Sequence, residues 1–206
     1  MLKIWGRINS INVQKVMWTV GELGLPHERI DAGGAFGRVR DPDYLALNPN
    51  GLVPTIEDDG FVLWESNTVA RYLAAKHSPG RLCPSDVQRR ADAERWMDWV
   101  LTTLNPPMFT VFWNLIRTPV DQRDMKAVEA ARLKLCDLWQ ILEAQLAKRP
   151  YVIGAELTMG DVPLGCTINR WYHLPLERPK MPNIEAWYGR LKERPAFKQH
   201  VMIPLT

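Results

Sequence analysis

Three short stretches of this 206-residue chain place polar or ionisable groups where a helix would begin or a strand be entered. In GRINSINVQKV, Ser10 and Asn12 stand between a short apolar run and an apolar-periodic segment. The free N–H groups of a helix start favour a nearby anion, and a serine hydroxyl among them can donate to an oxyanion or a thiolate. Simple helix capping accounts for the same two residues and, from spacing alone, is the commoner role. In NPNGLVPT, Val53-Pro54 lies between a turn and a strand. A cis bond there would turn the chain sharply and leave the valine N–H and C=O free to pair with an extended ligand. An ordinary edge proline is the alternative. In WESNTVARYL, Glu65 and Ser66 fall where a strand gives way to a helix. Ser66, as N-cap or N1, brings backbone amides to an anion, and Glu65 can accept from an ammonium group. Together they suit the α-carboxylate and α-amine of an amino acid, although capping alone would also explain them.

Other chemistries lack their residues. No HExxH, GxSxG, GxxxxGK[ST] or GxGxxG pattern occurs. The four histidines, His27, His77, His173 and His200, are isolated in sequence and make poor metal ligands. The acidic pair in EDDG reads as a solvated hairpin turn. Cys83, Cys136 and Cys166 are odd in number, far apart and without zinc-like spacing, which fits a reducing compartment. The formal net charge of +3 is weak and its Lys and Arg are dispersed, which argues against nucleic-acid or membrane-surface partners. The chain opens on LKIWGR, without a basic-then-apolar leader pattern, and no apolar run is long enough for a bilayer. The expectation is a soluble cytoplasmic protein with no metal and no prosthetic group. Nine tryptophans suggest core, interface or pocket-lining indoles whose N–H groups need partners.

The elements that must position these residues follow from periodicity. Leu2 to Trp5 reads as a strand, and Val13, Val16, Met17, Val20 and Leu23 recur at helical spacing before a Gly24/Pro26 stop. HERI is a second strand, DAGGAFGRVRDP a loop, and DPDYLAL one helical turn. Thr55–Ile56 and Phe61–Trp64 form a hairpin around Asp59-Gly60, followed by a helix over Glu65–Lys76. The Pro/Gly/Ser-rich segment 78–86 reads as a linker between a first domain, 1–77, and an all-helical second domain, 87–206. In the latter, Trp96, Trp99, Val100 and Leu104 mark one amphipathic helix, Val128 through Leu146 another, and Ile184, Trp187 and Leu191 a third. In LTMGDVPLG, Thr158 and Asp161 suit a capping box, with Leu157 and Val162 at the staple positions and a bend expected at Pro163.

In order and spacing, SINVQKVMWTVGELGLP, PDYLALNPNGLVPTIEDDGFVLWESNTVARYLA, the linker and LTMGDVPLG resemble the glutathione S-transferase family along nearly the whole chain. The likeness is to bacterial, serine- or asparagine-type (theta- or nu-like) members. The resemblance implies a thioredoxin-like βαβ–ββα domain followed by an all-helical domain, a homodimer, and an active site near the domain junction. It implies that glutathione is the co-substrate, that Val53 and Pro54 pair with its cysteinyl backbone, and that Glu65 and Ser66 hold its γ-glutamyl end. It implies that Ser10, favoured by alignment, or Asn12 two residues on, activates the sulfhydryl. Neither a tyrosine nor a cysteine occupies that turn. Arg38 and Arg40, with Arg7 as a further choice, are candidates for the glycyl carboxylate. Trp99, Phe109, Phe112, Trp113 and Arg117 are candidates to line the pocket of a small hydrophobic electrophile. The implied activity is conjugation of glutathione to such electrophiles in detoxification. A glutathione-dependent disulfide reductase or peroxidase, or a non-catalytic binding module, are the alternatives.

Overall fold

The structure, a computed structural model, describes all 206 residues. Its first part holds β1 (Leu2–Trp5), α1 (Ile11–Leu23), β2 (His27–Ile30), α2 (Pro42–Leu47), β3 (Thr55–Asp58), β4 (Phe61–Trp64) and α3 (Ser66–His77). Helices alone follow: α4 (Val87–Trp99), α5 (Asn105–Phe112), α6 (Met125–Leu146), α7 (Asp161–His173), α8 (Pro182–Lys192) and α9 (Pro195–His200). None of them is long and apolar enough to cross a membrane. The loop over 31–41 contains one 3₁₀ turn, Gly34–Phe36.

The sheet has the order β2-β1-β3-β4. β1 runs parallel to β2 and antiparallel to β3, and β3 pairs antiparallel with β4. Alternation decides the buried face: Leu2 and Ile4 of β1 are buried while Lys3 and Trp5 are only partly so. On that face Val13, Val16, Met17 and Val20 of α1 meet Ile4, Ile56 and the α3 residues Val69 and Leu73.

α1 is buried from Val13 to Val20 on all sides, as a helix enclosed by two layers must be. Its far side carries Trp18 into the helical core, edge-on to Phe197 at 4.7 Å. Gly165 makes room for it, since a Cβ there would stand 2.6 Å from the indole. Glu22 accepts from Trp18 Nε1 at 2.8 Å and from Arg194 Nε and Nη2 at 2.7 and 2.5 Å, which ties α1 to the approach of α9.

Two helical regions differ from the expectation. The expected helix through Trp96, Trp99, Val100 and Leu104 does not continue regularly, because the segment Val100–Leu104 is a π turn, and a second one, Trp113–Arg117, follows α5. Pro106 and Pro107 supply the reason at the first: they lack the N–H groups that the carbonyls of Thr102 and Thr103 would receive in an α-helix. At α7 the helix begins at Asp161 rather than after Thr158. The expected reach-back forms, with the Thr158 N–H donating to Asp161 Oδ2 at 2.9 Å, but the Thr158 hydroxyl donates to the same oxygen at 3.2 Å instead of accepting the Asp161 N–H, which goes to the Thr158 carbonyl at 3.0 Å. Pro163 therefore falls in the first turn, whose amides have no intrahelical partner, and costs no helical hydrogen bond. Leu157 and Val162 are both buried.

Candidate functional site

Three loops converge at the top of β1 and β3. The first is the β1–α1 turn. Ser10 is the N-cap of α1 in extended conformation (φ −81°, ψ 123°), yet its side chain makes no capping bond. The Ser10 N–H closes the turn onto the Arg7 carbonyl at 3.2 Å. Gly6 permits the turn because a Cβ at that position would overlap a Val13 methyl and lie 3.3 Å from Val53 Cβ.

The second loop is Asn48–Pro54. The Val53–Pro54 bond is cis. The Leu52 carbonyl accepts from Tyr44 Oη at 2.6 Å and from Asn48 Nδ2 at 2.9 Å. Both side chains also reach Thr55 Oγ1 in β3, at 2.9 and 3.1 Å. Gly51 has φ 61°, and a Cβ there would stand 2.8 Å from the Val39 carbonyl oxygen.

The third loop is the β4–α3 turn. Glu65 is the N-cap of α3 at φ 73°, exposed, and Ser66 is the first residue of the helix and buried. Ser66 Oγ donates across to Asn12 Oδ1 at 3.3 Å, and Lys15 Nζ donates to the same oxygen at 3.1 Å. An ammonium has only donors, so the Asn12 oxygen faces Lys15 and Ser66. Its Nδ2 amide is left as the outward-facing donor.

Two cavities flank this junction. The smaller, about 50 Å³, is walled by Asn12, Asn48, Val53, Pro54, Glu65 and Ser66. The larger, about 400 Å³, runs from Arg7, Ser10 and Asn12 to Phe109, Phe112 and Trp113. Asn12, Leu52 and Val53 belong to both.

Of the residues singled out in the sequence, Ser10, Asn12, Val53, Pro54, Glu65 and Ser66 are thus brought together, with Phe109, Phe112, Trp113 and Arg117 on the opposite wall. Trp99 is not among them. It packs edge-on to Trp96 at 5.3 Å and borders a separate groove with Arg95 and Ile141. Arg38 lies over the Trp5 ring at 4.8 Å and faces Asp43, away from both cavities. Arg40 rests against Gly51 behind the wall, whereas Arg7 lines the larger cavity itself.

Sequence reasoning missed two cations here. Lys15 is fully enclosed, and burial lowers its pKa to about 8, with the Arg170 charge acting the same way and Cys166 and Glu65 opposing. Arg170 on α7 lines the larger cavity, and burial brings its pKa down to about 10. Lys15 gave one signal, a lysine on the apolar stretch VQKVMW; Arg170 gave none. Burial pushes the Cys166 thiol up to about 12, so it is an inert core group.

A thioredoxin-like sheet joined to an all-helical half, with a cavity where three loops meet the helices, defines the architectural class. Family models for the glutathione S-transferase N-terminal and C-terminal domains match residues 9–76 and 97–195. The chain is 44% identical to glutathione S-transferase GstB of Escherichia coli, over the full length of both. It is 31% identical to glutathione S-transferase 3 of Zea mays, over 99% of this chain and 95% of that one. Among solved structures, the theta class glutathione S-transferase of Xanthomonas axonopodis pv. citri with glutathione bound superposes with a TM-score of 0.96 at 45% identity, covering 100% of this chain and 99% of that one. The chain belongs to the glutathione S-transferase family and is an enzyme, a glutathione transferase.

Proposed function

We propose that the enzyme binds glutathione across both cavities, ionises its sulfhydryl and conjugates it to a small electrophile. The observation that carries this reading is the orientation of Asn12, whose amide donor faces the cavity junction because Lys15 and Ser66 occupy its oxygen. The γ-glutamyl end lies in the smaller cavity, its α-carboxylate on the Ser66 end of α3 and its ammonium toward Glu65. The cysteinyl backbone pairs with Val53. Arg7, the glycyl-side arginine that lines the cavity, receives the far carboxylate in place of Arg38 and Arg40.

The sulfur then sits beside Ser10 and Asn12 at the start of α1. A free thiol has a pKa of about 8.5, so little thiolate exists at neutral pH. Each unit of lowering needs about 1.4 kcal/mol of preference for the thiolate. A hydrogen bond to a charged group supplies about 1.5–3 kcal/mol, and a helix start roughly 0.3–1 kcal/mol more. The unbonded Ser10 hydroxyl and the fixed Asn12 amide are together sufficient for one to two units. The thiolate attacks the electrophilic carbon, a thioether forms, and the leaving group departs with the bonding electrons.

A disulfide-reducing activity at the same site is the second reading, favoured by Asn12 being a firmly held donor. Retention on immobilised glutathione followed by conjugation of 1-chloro-2,4-dinitrobenzene tests the first reading. Retention without conjugation, but with reduction of a small mixed disulfide, would transfer the assignment to the second. We further propose that the protein works in the cytoplasm as a homodimer.

A further inference from the structure

The larger cavity carries a charge that nothing in the chain balances. Arg7, Arg117 and Arg170 all line it, and no aspartate or glutamate does. None of the chain's eleven ion pairs involves any of the three. Arg170 Nε is buried without a hydrogen-bond partner. Burial depresses the pKa of Arg7 and of Arg170, and the charge of Arg117 pushes both further in the same direction. Three like charges without counter-charge are costly in a partly desolvated site, and this cost is removed only when an anion arrives.

The anion can be located. Arg7 stands on the glycyl side, its guanidinium stem against Gly34. Arg117 and Arg170 stand on the helical side and flank one ring: the Arg170 guanidinium lies 3.8 Å from the Phe112 centroid and that of Arg117 5.9 Å from it. Beside them Phe109 and Trp113 are stacked at 5.2 Å with their planes 25° apart, and both are exposed to the cavity side. An exposed aromatic stack next to two unpaired guanidiniums offers a flat apolar surface and an oxyanion seat together.

We propose that the second substrate is a flat, aromatic or conjugated electrophile bearing a carboxylate or similar oxyanion, its body against Phe109 and Trp113 and its charge on Arg117 and Arg170. The inference rests on the glutathione transferase reading above and deepens it. A neutral apolar electrophile would fill the same volume and leave both guanidiniums unpaired.

A matched pair of probes tests it: 4-chloro-3,5-dinitrobenzoate and its methyl ester. In both, the glutathione thiolate forms a C–S bond, the C–Cl bond breaks, chloride leaves with the electron pair, and the thiol proton passes to solvent. Rates are divided by each probe's uncatalysed rate with glutathione. The acid should then exceed the ester in kcat/KM by about tenfold, the order of one charge-assisted hydrogen bond. The preference should shrink as salt is added. Arg117→Gln should cut the acid-to-ester ratio by about the same factor, mainly through the KM of the acid. Arg117 is exposed at the rim, so its replacement leaves the core packing in place. A corrected wild-type ratio of one or less overturns the proposal without any variant. So does an unchanged ratio in Arg117→Gln accompanied by a raised KM for glutathione, which would give that guanidinium to the tripeptide. Catalysed turnover of the ester without preference for the acid defeats this proposal alone; no catalysed turnover of either probe, together with none of 1-chloro-2,4-dinitrobenzene, defeats the conjugation reading as well.

Discussion

At the scale of single residues, the orientation of Asn12 depends on a lysine that reaches no solvent. Lys15 is a positioning residue in this reading: its ammonium holds the amide oxygen, and the amide nitrogen then meets the sulfur. Asn12→Ala should raise the pKa of bound glutathione by about one unit or more, read from the ultraviolet absorbance of the thiolate. Ser10→Ala should raise it less, because the freely rotating hydroxyl is held by no second group. Lys15→Met should reproduce much of the Asn12→Ala effect, and the double variant should fall short of the sum by about 0.5–3 kcal/mol. Simple addition of the two effects would remove Lys15 from the mechanism. The same lysine shapes the pH dependence of stability. Burial lowers its pKa to about 8, whereas an unfolded lysine titrates at about 10.4. Between those values the unfolded chain binds the extra proton, so stability climbs with rising pH. The Cys166 thiol, raised by burial to about 12, opposes this from about pH 8.5 upward, where an unfolded thiol begins to ionise. Thermal melts of wild type and Lys15→Met should therefore separate on the alkaline side, with the wild type gaining relative to the variant between pH 8 and 10.

At the scale of elements, the site is held by turns and helix starts rather than by side chains alone. Gly6→Ala would push a methyl group into Val13 and toward Val53, joining the β1–α1 turn to the cis-proline loop in one disturbance. A loss of about 1–3 kcal/mol in urea unfolding, together with a raised KM for glutathione, is the expected result. Asp161 anchors the opposite end of the helical half. It is fully buried and accepts from Val152 N, Thr158 N and Oγ1, and Trp187 Nε1, at 2.9–3.2 Å. Burial raises its pKa and those donors pull it back down. Asp161→Ala leaves several donors unpaired and should cost roughly 3–5 kcal/mol, measurable as a large drop in melting temperature with the glutathione KM of the folded fraction unchanged. Such elements differ in how openly the sequence displays them. α1 and α3 were readable from their helical periods, and the short strands more from the Gly, Pro and Asp-Gly turns that bound them than from alternation, which β2 and β4 lack. The start of α7 was misplaced because Thr158 and Asp161 do interact, but through a loop that precedes the helix. The π turns were not readable, since a period of 3.6 and one widened turn look alike over so short a run. Arg170 was invisible for a different reason: its partner is a cavity made by α1, α5 and the β2–α2 loop, and no local pattern encodes that.

At the scale of the whole molecule, two hydrophobic clusters meet on α1, which gives Val13, Val16, Met17 and Val20 to the strand-bearing part and Trp18 to the helical part, with Leu23 packed against both. Unfolding should accordingly be a single cooperative transition, and two separable transitions by circular dichroism and tryptophan fluorescence would contradict this. The proposed dimer is checked by sedimentation velocity, which should give twice the mass of one chain. The π turns Val100–Leu104 and Trp113–Arg117 bracket α5, so Phe109 lies between two one-residue expansions and Trp113 opens the second. Each expansion lets the helix gain a residue without shifting what lies beyond it. Deleting a single residue from either turn would close it to a regular α turn and leave α5 in its register. Descendants of this sequence could thus change length by one residue at two defined sites and keep Phe109 where it stands, a freedom that comparisons of aligned substitutions would overlook.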